Sequence, residues 1–428
     1  VWGYTSFNEK NKILITLRPH QSAAVDAMAT KQGQVIVPTG GGKTIMMITD
    51  AIRRMDAADR PLTFVVVAPR ILLSSQLCDE FLSFPGIRRP DLIPAVVHSG
   101  ESKHFKTTKS EKIALFDEMC ASAICHRIIF TTYHSLHRVI DSGITVDVAY
   151  YDEAHNACQR NHFIKVASMS MIAENNYFFT ATPRVSNKHD RGMNNISVFG
   201  DVIVNVPAPD LVAQGNILRP TIVPFNTQSV VDKKNPHVVH SNTVQDIIDN
   251  LDETSAAKVL VAVPSSRVLG NILGHTDLLS QLSDRGYDIL HVTSKFGAYV
   301  NQTKVNREQF FETLTAWGKE EGRKFVLFHY SILSEGINVP GLTHCILLRN
   351  LNVVEMAQTI GRVIRLDQRD AANLASGSVT PCDWSCYHKP TGFVTVPVHQ
   401  NYGAAVIKRL QRITDEIFVK GIPATALV

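Results

Sequence analysis

A chain of 428 residues is too long for one ordinary domain and long enough for two or three. Hydrophobic residues at 44% and charged residues at 19% give a globular balance, with apolar material for more than one core. The net charge of +4 does not by itself mark a nucleic-acid binder, because basic residues must cluster on one face to act.

No apolar run approaches the roughly 18 residues that a membrane span needs. Residues Val1 to Lys10 lack the charged-then-apolar layout of a signal peptide. Seven Cys, an odd number scattered along the chain, read as reduced thiols. The expectation is a soluble intracellular protein of cytoplasm or nucleus, without a membrane partner and with a virus-encoded origin left open.

The first signal in chain order is Leu17-Arg18-Pro19-His20-Gln21, about one helix before a glycine loop. The Gln21 amide offers a donor and an acceptor, which suits bidentate pairing with adenine. A helix-start Pro followed by a surface Gln explains the same residues. Gln34 to Val37 then reads as a buried strand, and Ile45 to Arg54 as a helix. Between them stands Pro38-Thr39-Gly40-Gly41-Gly42-Lys43-Thr44, in the strand-to-helix setting a phosphate-binding loop requires. Glycines at 40, 41 and 42 let backbone N–H groups close around phosphates, and the helix N-terminus favours their charge. Lys43 is placed to reach the β- and γ-phosphates of ATP, and Thr44 to ligate Mg²⁺.

Short β-branched runs followed by turns recur at Thr63–Ala68, Arg127–Phe130, Val146–Tyr151 and Tyr177–Phe179. Such runs, each followed by a helix, imply parallel strands buried on both faces. The third closes on Asp152-Glu153-Ala154-His155, which brings two carboxylates to the carboxyl edge of the sheet, where ligands gather. Asp152 is expected to hold Mg²⁺, and Glu153 to orient and deprotonate the attacking water.

A stretch rich in Pro and Asn, about Pro207 to Asn250, reads as a boundary, with Thr221–Val223 a candidate connecting strand. The strand pattern restarts at Lys258–Val263, Asp288–Val292, Lys324–Phe328 and His344–Leu348. Farther on, Thr391–Val398 reads as a strand and Ala404–Val419 as an amphipathic helix. The expected fold is α/β: two RecA-like domains with parallel sheets flanked by helices, plus a short C-terminal extension. The expected division is a segment 1–16, a first domain 17–212, a linker 213–250, a second domain 251–370 and an extension 371–428. Cys382 and Cys386 with His388 suggest zinc only weakly, since no second pair matches them.

The ordered set of motifs resembles superfamily 2 helicases of the DEAH group. It comprises the segments above with Ala68-Pro69-Arg70, Thr131-Thr132-Tyr133 and Thr180-Ala181-Thr182-Pro183, then Val263-Pro264-Ser265, Ser334 to Pro340 and Gln358 to Arg365. The likeness spans about Leu17 to Leu366. It implies that Arg18 and Gln21 join the loop in binding ATP and that Arg362 and Arg365 are arginine fingers reaching across an inter-domain cleft. Gln358 and His155 are implied to sense cleft closure, and Thr180 and Thr182 to couple hydrolysis to movement. Gly336 and Asn338 are implied to contact the nucleotide, although many relatives carry Asp in place of Asn338.

Pro69, Arg70, Thr131, Thr132 and Ser265 are implied to touch the nucleic-acid backbone. The subgroup most resembled is that of restriction-enzyme motor subunits, phage branch-migration helicases and large-DNA-virus helicases. It implies an ATP-dependent helicase or translocase moving 3′→5′ on DNA in preference to RNA. A setting in a larger replication, repair, transcription or restriction complex fits the same likeness. Two rivals are an ATP-gated clamp or RNA helicase without processive unwinding and a non-catalytic scaffold. The intact Lys43, Asp152, Glu153 and Arg365 argue against the scaffold.

Overall fold

The computed structural model describes residues 4–7, 13–87, 89–188, 190–227, 232, 234–251, 257–293, 295–330, 339–398 and 403–428. It divides into two units, one running up to Pro207 and taking back Pro423–Val428, the other spanning Ala208–Ile422.

The first unit opens with an antiparallel pair, β1 (Tyr4–Phe7) and β2 (Ile13–Ile15). Its main strands are β3 (Gly33–Ile36), β4 (Thr63–Ala68), β5 (Leu92–Val97), β6 (Phe105–Lys106), β7 (His126–Thr132), β8 (Val148–Tyr151) and β9 (Asn175–Thr180). After the short β10 (Arg184–Val185) comes β11 (Asp201–Asn205). Eight of these form one sheet in the order β11-β3-β9-β8-β4-β7-β5-β6, with every neighbouring pair parallel.

Every residue of β3, β4, β7 and β8 is buried. These are β-branched and aromatic runs, which suit a sheet covered on both faces. Val65, Val67, Ile129, Tyr151 and Phe178 belong to one hydrophobic cluster of this unit. A buried polar network ties helices to this sheet. The Tyr150 hydroxyl and the Arg54 guanidinium both donate to Asp50, at 2.6 and 2.8 Å, and Arg54 reaches the Met28 carbonyl at 3.0 Å. It joins helix Pro19–Met28 to helix Lys43–Ala57, so the motif before the glycine loop and the helix after it share one support.

The second unit carries β12 (Pro220–Asn226), β13 (Lys258–Ala262), β14 (Asp288–Thr293), β15 (Gly297–Val300), β16 (Thr303–Val305), β17 (Phe325–His329), β18 (His344–Leu347) and β19 (Gly392–Val398). Their order is β12-β19-β18-β13-β17-β14-β15-β16. The pairs β14·β15 and β15·β16 are antiparallel and the rest parallel. The last strand, β20 (Ala426–Leu427), pairs in parallel with β10 of the first unit.

Two domain boundaries differ from the sequence reading. The stretch 213–250 read as a linker supplies β12 and the helix Pro236–Asp249, whose Val244, Ile247 and Ile248 lie in the core of the second unit. The stretch 371–428 read as an extension supplies β19, which pairs with β12 from Pro220↔Gly392 to Asn226↔Val398. It also supplies helix Ala404–Phe418, which buries Val406, Leu410 and Ile413. An edge strand and its neighbour can come from distant sequence because strand pairing depends on hydrogen-bond partners and not on chain order. Among the described residues, nine further strands, β1, β2, β5, β6, β10, β11, β15, β16 and β20, were not legible; β5 even contains Pro94.

Among the described residues, no helix is long and apolar enough to cross a membrane. Four histidines sit in the folded units with their imidazoles held neutral by burial, and in three of them by a nearby cation as well. His98, His291 and His344 are lowered to about 4 and His329 to about 3. An unfolded histidine titrates near 6.5. Between that value and the folded values the unfolded chain binds more protons, so stability rises with pH there and falls on acidification. We therefore expect the denaturant midpoint to drop between pH 6.5 and 5, as the unfolding free energy falls by up to about 2 kcal/mol per imidazole. Chemical denaturation across pH 5–8 checks this, and a flat profile contradicts the neutral burial.

Candidate nucleotide and motor site

The glycine loop leaves β3 at its carboxyl end. Val37 continues the strand, its amide donating to the Thr180 carbonyl of β9 at 2.9 Å. The Gly41 amide then turns back to the Pro38 carbonyl at 3.0 Å. Gly40 and Gly42 adopt φ of 88° and 85°, a left-handed backbone that glycine enters without a Cβ penalty. Gly42 is also the N-cap of helix Lys43–Ala57, and a Cβ there would stand 2.3 Å from the Gln21 amide nitrogen. Lys43 and Thr44 thus open the helix, where unpaired backbone N–H groups face out and favour an anion.

Helix Pro19–Met28 packs beside the loop. His20 Nε2 lies 2.8 Å from the Gly41 carbonyl, and the Gln21 amide donates to the same oxygen at 3.4 Å. Gln21 Oε1 accepts from the Arg18 amide at 3.0 Å, which starts the helix. Both ends of the Gln21 amide are therefore engaged with backbone, and pairing with adenine requires it to give up these bonds. His20 was not singled out in the sequence, although it lies inside the same five-residue motif. The Lys43 ammonium leans back to the Val37 carbonyl at 3.5 Å, the limit of a hydrogen bond.

Two strands away in the sheet, β8 ends at Tyr151 and delivers Asp152 and Glu153, both buried. The Asp152 amide donates to the Val67 carbonyl at 2.8 Å, and the Tyr133 hydroxyl to the Asp152 carbonyl at 2.9 Å. Burial and the adjacent Glu153 push the Asp152 carboxyl up to about 7, against the pull of Lys43. Glu153 takes φ 46°, ψ 52°, a left-handed conformation that costs a non-glycine residue on the order of 1 kcal/mol. Asn156, which the sequence reading passed over, offsets this by donating twice to the Glu153 carbonyl, from its amide at 2.9 Å and its side chain at 3.1 Å. Glu153 Oε2 is buried, accepts no hydrogen bond from the described residues and lies 3.4 Å from His155 Nδ1.

His155 links this acidic edge to β9. Its Nδ1 stands 3.0 Å from Thr180 Oγ1 and 3.5 Å from Thr182 Oγ1, and Thr180 Oγ1 accepts from the Thr182 amide at 3.1 Å. The three side chains are all buried, so these polar contacts lie in a packed, dry setting beside Glu153. Two crowded carboxylates with a raised Asp152 suit a divalent cation, which favours the ionised form.

The residues expected to touch nucleic acid separate. Pro69 and the exposed Arg70 follow β4, with Arg70 the N-cap of helix Ile71–Ser83. Thr131 is fully buried and its hydroxyl donates to the Val97 carbonyl at 2.9 Å, so its side chain serves the sheet and does not reach a partner. Thr132 is nearly as buried, and its Oγ1 accepts from the Ser135 amide at 3.2 Å. Ser265, in the second unit, caps helix Ser266–His275 by accepting from the Val268 amide at 3.1 Å.

The second unit holds the arginine motif on helix Val353–Val363. Its start is fixed by a capping box, with Asn352 accepting from the Glu355 amide and Glu355 accepting from the Asn352 amide. Gln358 and Arg362 are buried on this helix, and Arg365 lies just beyond its end. Lys389, which the sequence reading did not single out, donates from Nζ to the Arg365 carbonyl at 2.7 Å. Gly336 and Asn338 lie outside the described residues.

Two family models match the chain, one described as type III restriction enzyme, res subunit, over residues 14–185, and one as helicase conserved C-terminal domain, over 241–367. No curated protein matches in sequence. Among solved structures, the chain is similar to an ATP-dependent type ISP restriction-modification enzyme, LlaBIII, bound to DNA, with TM-score 0.69 and 14% identity. That match covers 99% of this chain and 32% of the enzyme, so the chain spans about a third of its length. It is also similar to S. cerevisiae Dbp5 bound to RNA and ADP BeF3, with TM-score 0.58, 14% identity and coverage of 97% and 90%. A fragment of a putative HsdR subunit of a type I restriction enzyme from Vibrio vulnificus YJ016 gives TM-score 0.57, 15% identity and coverage of 96% and 68%. The two matched models take in more than two thirds of the chain, in the order in which its two main sheets occur. The chain belongs to the superfamily 2 helicases and resembles restriction-enzyme motor subunits.

Proposed function

We propose that this protein is an ATP-driven nucleic-acid translocase or helicase of the DEAH type that works on DNA. The observation carrying this reading is the shared edge of the first sheet. There the loop of Lys43 follows β3 and the pair Asp152–Glu153 follows β8, with β9 between them in the sheet, and His155 ties Glu153 to Thr180 and Thr182. The loop amides, Lys43 and Thr44 bind the phosphates of ATP, with Arg18, Gln21 and Thr39 completing the nucleotide site. Thr44 and Asp152 hold Mg²⁺, which when bound neutralises phosphate charge. Glu153, whose Oε2 accepts no hydrogen bond from the described residues, takes the proton of the attacking water. Arg362 and Arg365 of the second unit act on the transferring phosphate during turnover, since a planar guanidinium meets its oxygens bidentately. Gln358 and His155 register the bound state, and Thr180 and Thr182 pass it on.

Pro69, Arg70, Thr132 and Ser265 supply backbone contacts to the nucleic acid, which makes binding tolerant of sequence. The match to restriction-enzyme models favours DNA, 3′→5′ movement and a place in a larger restriction, replication, repair or transcription complex. Dbp5 bound to RNA belongs to the same fold, so the polymer has to be tested directly.

Three outcomes follow. Lys43→Ala nearly abolishes ATP turnover, whereas Glu153→Gln binds ATP and hydrolyses it slower by about a hundredfold or more; near-wild-type turnover in the Gln variant sinks the base assignment. Arg365→Ala lowers kcat by about two to three orders of magnitude with a smaller change in ATP affinity; lost binding with an unchanged kcat removes the finger role. ATPase measured at matched salt with single-stranded, duplex and forked DNA and with RNA gives stimulation by DNA. Stimulation by RNA alone overturns the DNA assignment, and unwinding only of substrates with a 5′ overhang overturns the polarity.

A further inference from the structure

The turn after helix Val353–Val363 is held from three sides by residues outside the arginine motif. The Leu218 amide donates to the Ile364 carbonyl at 2.8 Å. Gly392 approaches so closely that a Cβ there would stand 2.1 Å from the Val363 carbonyl oxygen. The Lys389 ammonium donates to the Arg365 carbonyl at 2.7 Å.

Lys389 is itself fixed. Asp370, almost fully buried in the helix Gln368–Ser376, accepts from the His388 amide at 2.8 Å, from His388 Nδ1 at 3.0 Å and from the Lys389 amide at 2.9 Å. A buried ammonium is a costly group with which to satisfy one carbonyl, because desolvation penalises its charge and a neutral donor would be cheaper. Burial lowers Lys389 to about 7, Asp367 and Asp370 oppose the shift, and Arg365 and Lys258 add to it.

We propose that Lys389 is a positioning residue for Arg365, fixing the backbone that carries the guanidinium. The proposal rests on the reading of Arg365 as the cation that acts on the transferring phosphate.

The test is steady-state ATPase of the full chain with DNA, for Lys389→Met, Lys389→Arg, Arg365→Ala and the double variant Lys389→Met/Arg365→Ala. Thermal unfolding identifies the folded variants. Lys389→Met is expected to lower kcat about tenfold or more while KM for ATP changes less than about threefold. Lys389→Arg, which keeps the charge and the donor, is expected to restore most of kcat. The double variant is expected to be no slower than Arg365→Ala alone, because one residue acts through the other. If Lys389→Met does not fold, Lys389→Gln takes its place with the same expected selective loss. A folded Met or Gln variant with kcat within about twofold of the parent overturns the proposal, as does a double variant showing the full product of both losses. Arg365→Ala inactive beside a fully active Lys389→Met removes the positioning role alone. An Arg365→Ala variant with unimpaired turnover removes the reading of Arg365, and the positioning role with it.

Discussion

The parallel pairing of β3 with β9, continued by the Val37 amide bonded to the Thr180 carbonyl, sets where chemistry can occur in the first unit. Strands buried on both faces have no room for reactive side chains along their length. Polar residues can emerge only at the ends, and parallel strands put all their carboxyl ends on one edge. The glycine loop after β3, the acidic pair after β8 and the threonines at and after the end of β9 meet there as a consequence of that one constraint. The β9 strand lies between β3 and β8 in the sheet, so Thr180 stands between the loop and the carboxylates. This gives the His155–Thr180–Thr182 contacts a short path to both.

The edge is also where the first unit accepts local cost. Glu153 holds a left-handed backbone, and Asp152 carries a carboxyl that burial drives toward its neutral form. Both are stabilised by main-chain contacts from residues with no reactive role of their own, Asn156 under Glu153 and Tyr133 against Asp152. Tyr133 closes the segment Thr131-Thr132-Tyr133, and Asn156 stands directly after Asp152–His155. Unfavourable torsions and shifted carboxyls gather where a fold must present charge in a dry setting.

The second unit follows the same rule with a different construction. Its core strands β13, β17 and β18 arrive as continuous apolar runs, but the sheet is completed by β12 and β19 from either side of them in sequence. That completion has a consequence beyond stability. Leu218, Lys389 and Gly392, drawn from the flanking stretches, press on the turn that carries Arg365. The segments that looked like connection and appendage are the ones that hold the arginine motif in place.

How much was legible in the sequence follows from the range of the forces involved. The glycine loop, the acidic pair and the strands β4, β7 and β13 could be read because their signals are local, a run of β-branched residues ending in a turn. Helix Ala404–Phe418 was readable from its apolar spacing for the same reason. The edge strands β11 and β16 and the Pro-containing β5 were not, because pairing with a neighbour made them strands despite weak patterns of their own. The engagement of Gln21 with the Gly41 carbonyl, the loss of the Thr131 hydroxyl to Val97 and the tether of Lys389 on Arg365 all join residues far apart in the chain. The sequence by itself determined which residue types could do chemistry and the order in which the strands carry them. The tertiary structure alone decided which side chains are spent on the fold and which boundaries the units take, because hydrogen bonds and burial between distant segments leave no periodic trace in the chain.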